Sequence, residues 1–155
     1  MKKSLLTLGL ALTTLTSFAS TQAVLNLKGN VPNILSIQIT PETLALNLPL
    51  QTTQNNTKVA VVREMSNSST GFRITATSSN QGKLKHANGN TFDYSLFYQG
   101  QALNLQNGSP SPIITTGQNA VSRNRDVTIS YTGIPAEQLV AGDYVDQVTF
   151  TIAVN

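Results

Sequence analysis

The sequence predicts an all-β fold, an antiparallel sandwich of about seven strands. Apolar and polar residues alternate with a period of two in one short segment after another, which is the pattern of strands that bury one face. Stretches rich in Gly, Pro and Asn separate these segments and predict turns and loops. No segment of useful length has helical periodicity, so strands make up the predicted architecture.

Composition limits the classes of protein that the chain can belong to. It has 155 residues, of which 10 are Lys or Arg, 7 are Asp or Glu, one is His and none is Cys. This length predicts one domain. The lack of Cys excludes a disulfide framework, a thiolate metal site and a cysteine nucleophile, and the single His excludes a histidine pair on zinc. Abundant Asn, Gln, Thr and Ser are typical of a β-rich protein that works outside the cytosol.

The first 23 residues have the three-part plan of a secretory signal peptide. Lys2 and Lys3 give the basic start, residues 5–15 form an apolar run too short to span a bilayer, and small residues follow. We expect cleavage after Ala23, with Ala19 as the alternative. Removal of the two lysines leaves 8 basic residues (10 − 2) against 7 acidic ones. We therefore expect no nucleic-acid partner.

Two alternating segments open the mature chain. In residues 24–31 the apolar face carries Leu25, Leu27, Gly29 and Val31. Pro32 has no N–H to donate to a strand ladder and ends this segment. In residues 33–40 the apolar face carries Leu35, Ile37 and Ile39, and leucines at every second position continue the pattern through residues 44–50.

The middle of the chain alternates again in four segments, for which the sequence predicts strands: residues 58–65, 72–77, 92–98 and 126–132. The polar or Gly- and Pro-rich stretches between them predict loops at residues 51–57, 78–90 and 107–119, with at most a short strand at 83–85. A hairpin tip is expected at residues 99–101 and one turn of helix at residues 135–139.

The last segment, residues 143–155, has the clearest alternation in the chain. Its apolar face carries Val148, Phe150, Ile152 and Val154. Val145 is out of phase with this set, which predicts a bulge near Asp146.

No group of residues has the spacing of a catalytic or metal site, so we expect a non-enzyme without a cofactor. His86 lies in a polar loop, where a lone His is most often solvated. Asp143 and Asp146 are a carboxylate pair only by their proximity in sequence. Arg123 and Arg125 precede a predicted strand, where protection of a sheet edge is the simpler role.

The order of the strands leaves two hazards. A sandwich that ends on an apolar strand exposes an unpaired edge and part of its core, and a free strand at the start of the chain is equally prone to aggregate. Both hazards disappear if each chain lends its first strand to the next.

Residues 24–39 and the ending at residues 141–152, with Ala-Gly-Asp-Tyr before a long alternating strand, resemble subunits of bacterial chaperone–usher fimbriae. The nearest types are the cysteine-free colonisation-factor subunits and the spore-coat-U-like surface proteins. The resemblance implies an incomplete immunoglobulin-like sandwich, residues 33–155, that lacks its last strand. A donor strand, residues 24–32 of a neighbouring subunit, completes it by strand addition.

The resemblance also implies partners and a location. The partners are copies of the chain or other fimbrial subunits, a periplasmic chaperone, an outer-membrane usher and, for an adhesive fibre, a host or surface receptor. The chain would pass through the periplasm to a fimbria on the cell surface.

The site residues follow from the same resemblance. Those of the donor strand are Leu25, Leu27, Gly29 and Val31. Those of the acceptor groove are Leu35, Ile37 and Ile39 on one wall and Val148, Phe150, Ile152 and Val154 on the other.

Two alternatives remain open from the sequence. In the first alternative, residues 24–31 are the first strand of a closed monomeric sandwich. In the second, the chain is a secreted module that binds carbohydrate or a receptor through stacking aromatic side chains. The candidates for stacking are Phe92, Tyr94, Tyr98 and Tyr131.

Overall fold

A computed structural model of the chain describes residues 21–115 and 120–155. In these ranges the only helical elements are two short 3₁₀ turns, Thr43–Leu46 and Ala136–Gln138, and the all-β prediction is confirmed. Within the same ranges no helix has the length and apolar character needed to cross a membrane. Of the predicted signal peptide, residues 1–20 lie outside the described part of the chain. Residues 21–31 belong to a unit separate from Pro32–Asn155 and form no strand.

Eleven strands occur in the described ranges, all of them paired antiparallel. They are β1 (Leu35–Pro41), β2 (Gln54–Ser66), β3 (Phe72–Ser78), β4 (Lys83–His86), β5 (Thr91–Asp93), β6 (Ser95–Tyr98), β7 (Gln101–Ala102), β8 (Ser111–Thr115), β9 (Val121–Tyr131), β10 (Tyr144–Val145) and β11 (Val148–Val154). A five-stranded sheet has the order β1-β2-β9-β6-β7, and two three-stranded sheets have the orders β11-β3-β8 and β10-β4-β5.

The core of this sandwich-like fold comes from alternate residues of the longest strands. The inward positions of β2, β3 and β9 are almost without exposure, and they include Val62, Phe72, Ile74, Val127 and Ile129. Their neighbours in sequence point outward, as the period of two predicts.

Two of the predicted strands are each divided in two, because the chain changes sheet inside them. The segment 92–98 breaks at Tyr94, so that β5 joins the small sheet and β6 joins the five-stranded one. The segment 143–155 breaks at Asp146, where the bulge was predicted, so that β10 pairs with β4 and β11 pairs with β3.

The predicted strand at residues 44–50 is wrong. After Pro41 the chain pairs once more, from Glu42 N to Val59 O, and then turns into the 3₁₀ turn. The N–H of Ala45 donates to Glu42 O over 3.0 Å, and Thr52 N donates to Pro49 O over 2.9 Å. The alternating leucines do not form a strand, because the N–H groups of Ala45 and Thr52 bond within local turns and not to a neighbouring strand.

Three further boundaries differ from the prediction. β8 lies in a predicted loop, β2 begins at Gln54 within another, and β9 begins at Val121 and so contains both Arg123 and Arg125. The short strand near residues 83–85, the helical turn near 135–139 and the hairpin tip are confirmed. At that tip Gln99 and Gly100 have φ of 51° and 78°, the positive values that a two-residue hairpin turn requires.

A cluster of polar side chains around the buried Glu64 joins three strands of the five-stranded sheet, β2, β9 and β6. Glu64 is fully buried, and its carboxylate accepts a hydrogen bond from Tyr98 Oη and another from Arg123 Nε at 2.5 Å. Arg125 Nε lies 3.8 Å from the same carboxylate and is buried without a hydrogen-bond partner among the described residues. The Arg123 guanidinium also lies 6.0 Å from the centre of the Phe72 ring. The two arginines are thus inward-facing partners of Glu64, not edge protection.

We predict that Glu64→Ala lowers the free energy of unfolding by about 3 to 5 kcal/mol, because it leaves two partly buried arginines and the buried Tyr98 hydroxyl without their carboxylate partner. Urea denaturation at neutral pH measures this loss. Asp93→Ala is the matched control, since it removes an exposed carboxylate 2.5 Å from Lys83 Nζ, and its effect should stay within about 1 kcal/mol. Equal losses for the two variants would contradict a structural role for the cluster.

Candidate functional site

Among the end strands of the three sheets, β1 and β11 lie close to each other. β1 is the end strand of the five-stranded sheet, and β11 is the end strand of the sheet that it forms with β3 and β8. No strand in residues 21–115 or 120–155 pairs with the outer edge of either one. Alternate backbone N–H and C=O groups of both strands are therefore available to another strand.

The two open edges lie side by side and run in opposite directions. Leu35 pairs with Ser66 and Val154 pairs with Phe72, and the short connection from β2 to β3 keeps these two pairs at one end of the domain. Ile39 and Val148 line one cavity at the other end. β1 and β11 therefore form the two sides of one opening.

All seven predicted groove residues lie on these two edges. Ile39 and Val154 are 50% and 44% exposed, and the other five are partly buried. Their ladder partners on β2 and β3 are nearly or fully buried, so each groove residue continues an inward face toward the open edge. The five partly buried groove residues are Leu35, Ile37, Val148, Phe150 and Ile152.

The opening is narrow in the free chain. Cα atoms of β1 and β11 come within 8 Å of each other, although no ladder joins the strands. A strand paired with both would need about 9.6 Å, which is twice the spacing of neighbouring strands. The gap between the two edges is therefore too narrow for a strand that pairs with both.

A mainly apolar cavity of about 330 Å³ opens at one end of the groove. Besides Ile39 and Val148, its lining includes Ala45, Leu48, Leu84, Leu96 and Phe150. Leu48 comes from the segment that replaces the predicted strand at residues 44–50. The irregular path of that segment thus supplies part of the cavity wall.

Asp146 closes this end of the cavity with a set of hydrogen bonds. Its carboxylate accepts a hydrogen bond from Ser78 Oγ at 2.6 Å, from Tyr94 Oη at 2.6 Å and from the N–H of Asn80 at 3.0 Å. Asp143, the carboxylate nearest to Asp146 in sequence, is exposed. Asp146 fixes the point where the chain leaves β10 and enters β11.

The predicted donor leucines and valine are among the most exposed apolar side chains of the described residues. Leu25, Leu27 and Val31 are 81%, 87% and 79% exposed. A Cβ placed on Gly29 meets no heavy atom within 4 Å. Residues 24–31 form no strand in the structure.

The aromatic residues of the alternative binding site are part of the core. Phe92 and Tyr98 are 1% exposed, Tyr131 is also buried, and Tyr94 is partly buried with its hydroxyl on Asp146. His86 packs against Tyr144, with ring centres 5.1 Å apart. No cluster of three or more His, Cys, Asp or Glu suited to a metal ion occurs in the described ranges.

No protein-family model and no curated protein sequence matches the chain. Its candidate site therefore stands on the geometry of the two open edges and of the segment before them.

Burial raises the pKa of Tyr94 and of Tyr98 well above the usual value of 10, and a carboxylate partner, Asp146 or Glu64, adds to both shifts. The unfolded chain loses these protons above about pH 10 while the folded chain keeps them. The free energy of unfolding is therefore at its full value below pH 10 and falls as the pH rises further.

We predict that the free energy of unfolding of Tyr94→Phe falls less steeply with pH above pH 10 than that of the wild type. The difference in slope should be about 1.4 kcal/mol per pH unit, which is the contribution of one phenol. Urea denaturation at pH steps between 8 and about 11.5 measures the slope, and the offset at pH 8 gives the separate cost of the lost hydrogen bond. Parallel curves for the variant and the wild type would show that Tyr94 keeps an ordinary pKa in the fold.

Proposed function

We propose that the chain is a non-catalytic structural subunit of a surface fibre, in which residues 24–31 of one copy fill the opening between β1 and β11 of the next. The observation that carries the proposal is the presence in one chain of two adjacent, unpaired apolar edges and of an unpaired segment with matching alternation.

Burial and pairing both favour this insertion. Three aliphatic side chains leave water, and each contributes roughly 1.5 to 3 kcal/mol. New hydrogen bonds to the two edges add about 0.5 to 1.5 kcal/mol each. The opposing terms are the ordering of the segment and the spreading of β1 from β11.

Gly29 fits the same arrangement. It shares a face with Leu25, Leu27 and Val31. The resemblance implies that it takes the position where the groove is too narrow for a side chain. No φ between +20° and +160° constrains this position, so a larger residue is tolerated in the free segment. A side chain at position 29 would meet resistance only in the assembled state.

The free subunit needs protection before assembly, because its open edges and apolar groove would otherwise bind other chains. This need supports the partners that the resemblance implies. We propose a periplasmic chaperone that covers the opening during export, an outer-membrane usher at which the donor segment of the next subunit replaces it, and a fibre that supports adhesion on the cell surface.

The first test joins the donor to its own groove. We predict that residues 24–31, moved from the start of the mature chain to a position after Asn155 through a Gly/Ser linker, give a monomer with a higher melting temperature than the native chain. Size-exclusion chromatography and a thermal melt measure the two effects.

The control carries the same appended segment with its three aliphatic residues changed to Ser. It should melt like a chain that lacks the segment. If the apolar appended segment gives no gain over this control while the native chain is already a stable monomer, the groove takes no strand, and a closed binding module becomes the better hypothesis.

The second test uses neighbouring positions of the donor segment. We predict that Gly29→Leu slows fibre assembly and destabilises the fibre by about 1 to 3 kcal/mol per contact, since an added side chain overpacks the groove. Asn30→Leu places the same side chain on the opposite face and should have the smaller effect. Both variants should leave the melting temperature of the chaperone-free subunit unchanged, and equal assembly of the two would refute the proposed register.

A further inference from the structure

The side chain of Asn67 binds the backbone just before β1. Its Oδ1 accepts a hydrogen bond from the N–H of Ile34 at 2.6 Å, and its Nδ2 donates to Pro32 O at 2.7 Å. The backbone N–H of Asn67 also donates to Ile34 O at 3.1 Å. Asn67 thus extends the ladder of β1 and β2 beyond its first pair, Leu35 with Ser66.

These contacts fix the local conformation. In an extended strand a C=O group and the N–H group two residues later point to the same side and stand too far apart to form the bond that joins them in a γ-turn. One amide side chain reaches both groups, so residues 32–34 continue the line of β1. Pro32 adds to this, because its ring fixes its own φ and restricts Val31 to extended conformations.

An extended backbone at residues 32–34 affects which groove the donor segment can fill. To reach the opening of its own chain, the segment would have to turn back beside β1 within a short hairpin, and residues 32–34 are the positions for that turn. Such a return would also run parallel to β11, because β1 and β11 run in opposite directions, and parallel pairing is the weaker kind.

We propose that Asn67 is a positioning residue that keeps residues 24–31 out of the groove of their own chain and so commits them to a second copy. The inference rests on the proposed function, since it concerns the choice between two grooves of the same kind. Its effect is to suppress a self-filled monomer that could neither donate nor accept a strand.

The test refolds the mature chain, residues 24–155, at low concentration in three forms. They are the wild type, Asn67→Ala, and Asn67→Ala combined with Pro32→Gly. Size-exclusion chromatography gives the ratio of monomer to oligomer. Hydrogen exchange of the monomer fraction reports whether the amides of residues 24–31 are protected.

We expect Asn67→Ala to raise the monomer-to-oligomer ratio by about tenfold, the change that follows from the loss of two ordinary hydrogen bonds. The amides of residues 24–31 should become protected in that monomer, and more so in the double variant. Asn124→Ala, which removes an exposed amide side chain of β9, should behave as the wild type.

Two results would overturn the inference about Asn67, and only the second would also overturn the proposed function. If wild-type oligomers protect residues 24–31 but the monomers of the Asn67 variants do not, Asn67 only stabilises the fold and strand exchange between copies stands. If the wild-type oligomers themselves leave these amides unprotected, the proposed function fails and the inference fails with it.

Discussion

Backbone groups at a sheet edge need partners, and this requirement governs the rest of the structure. An N–H or C=O group left unpaired in an apolar setting costs as much as a lost hydrogen bond. β1 and β11 carry such groups on facing edges, above side chains that are neither buried nor fully solvated. The narrow gap and the cavity beside Ile39 lie along these two edges, which no strand of the described residues joins.

Two polar anchors hold the walls of the opening in place. Glu64 is the ladder partner of Ile37, and its ion pair ties β2 to β9 beneath the middle of the first wall. Asp146 binds Ser78 and Tyr94 at the start of the second wall. Buried polar groups of this kind have few alternative arrangements, so they define where each edge strand lies while the apolar groove between them stays adaptable.

Local alternation predicted most of the fold and the residues of both open edges. It placed Val148, Phe150 and Ile152 on one face, as the register with β3 has them. It could not reveal the role of Glu64, because β2 has apolar residues on both faces and the arginine that binds it lies 59 residues away in sequence. Nor could it reveal the turn at residues 44–50, where the leucine spacing was that of a strand but the hydrogen bonds were local.

The pairing of β11 with β3 also affects the order in which the strands of the domain form. Asp146 meets Ser78 across 68 residues of sequence, and contacts between such distant positions form late because the loop that joins them must first close. During that interval one edge of β3 is bare, and β11 is not yet near the outer edge of β1. If a donor strand fills the opening as proposed, it can pair with β1 before β11 narrows the gap, so we expect capture during folding to be faster than entry into the finished domain.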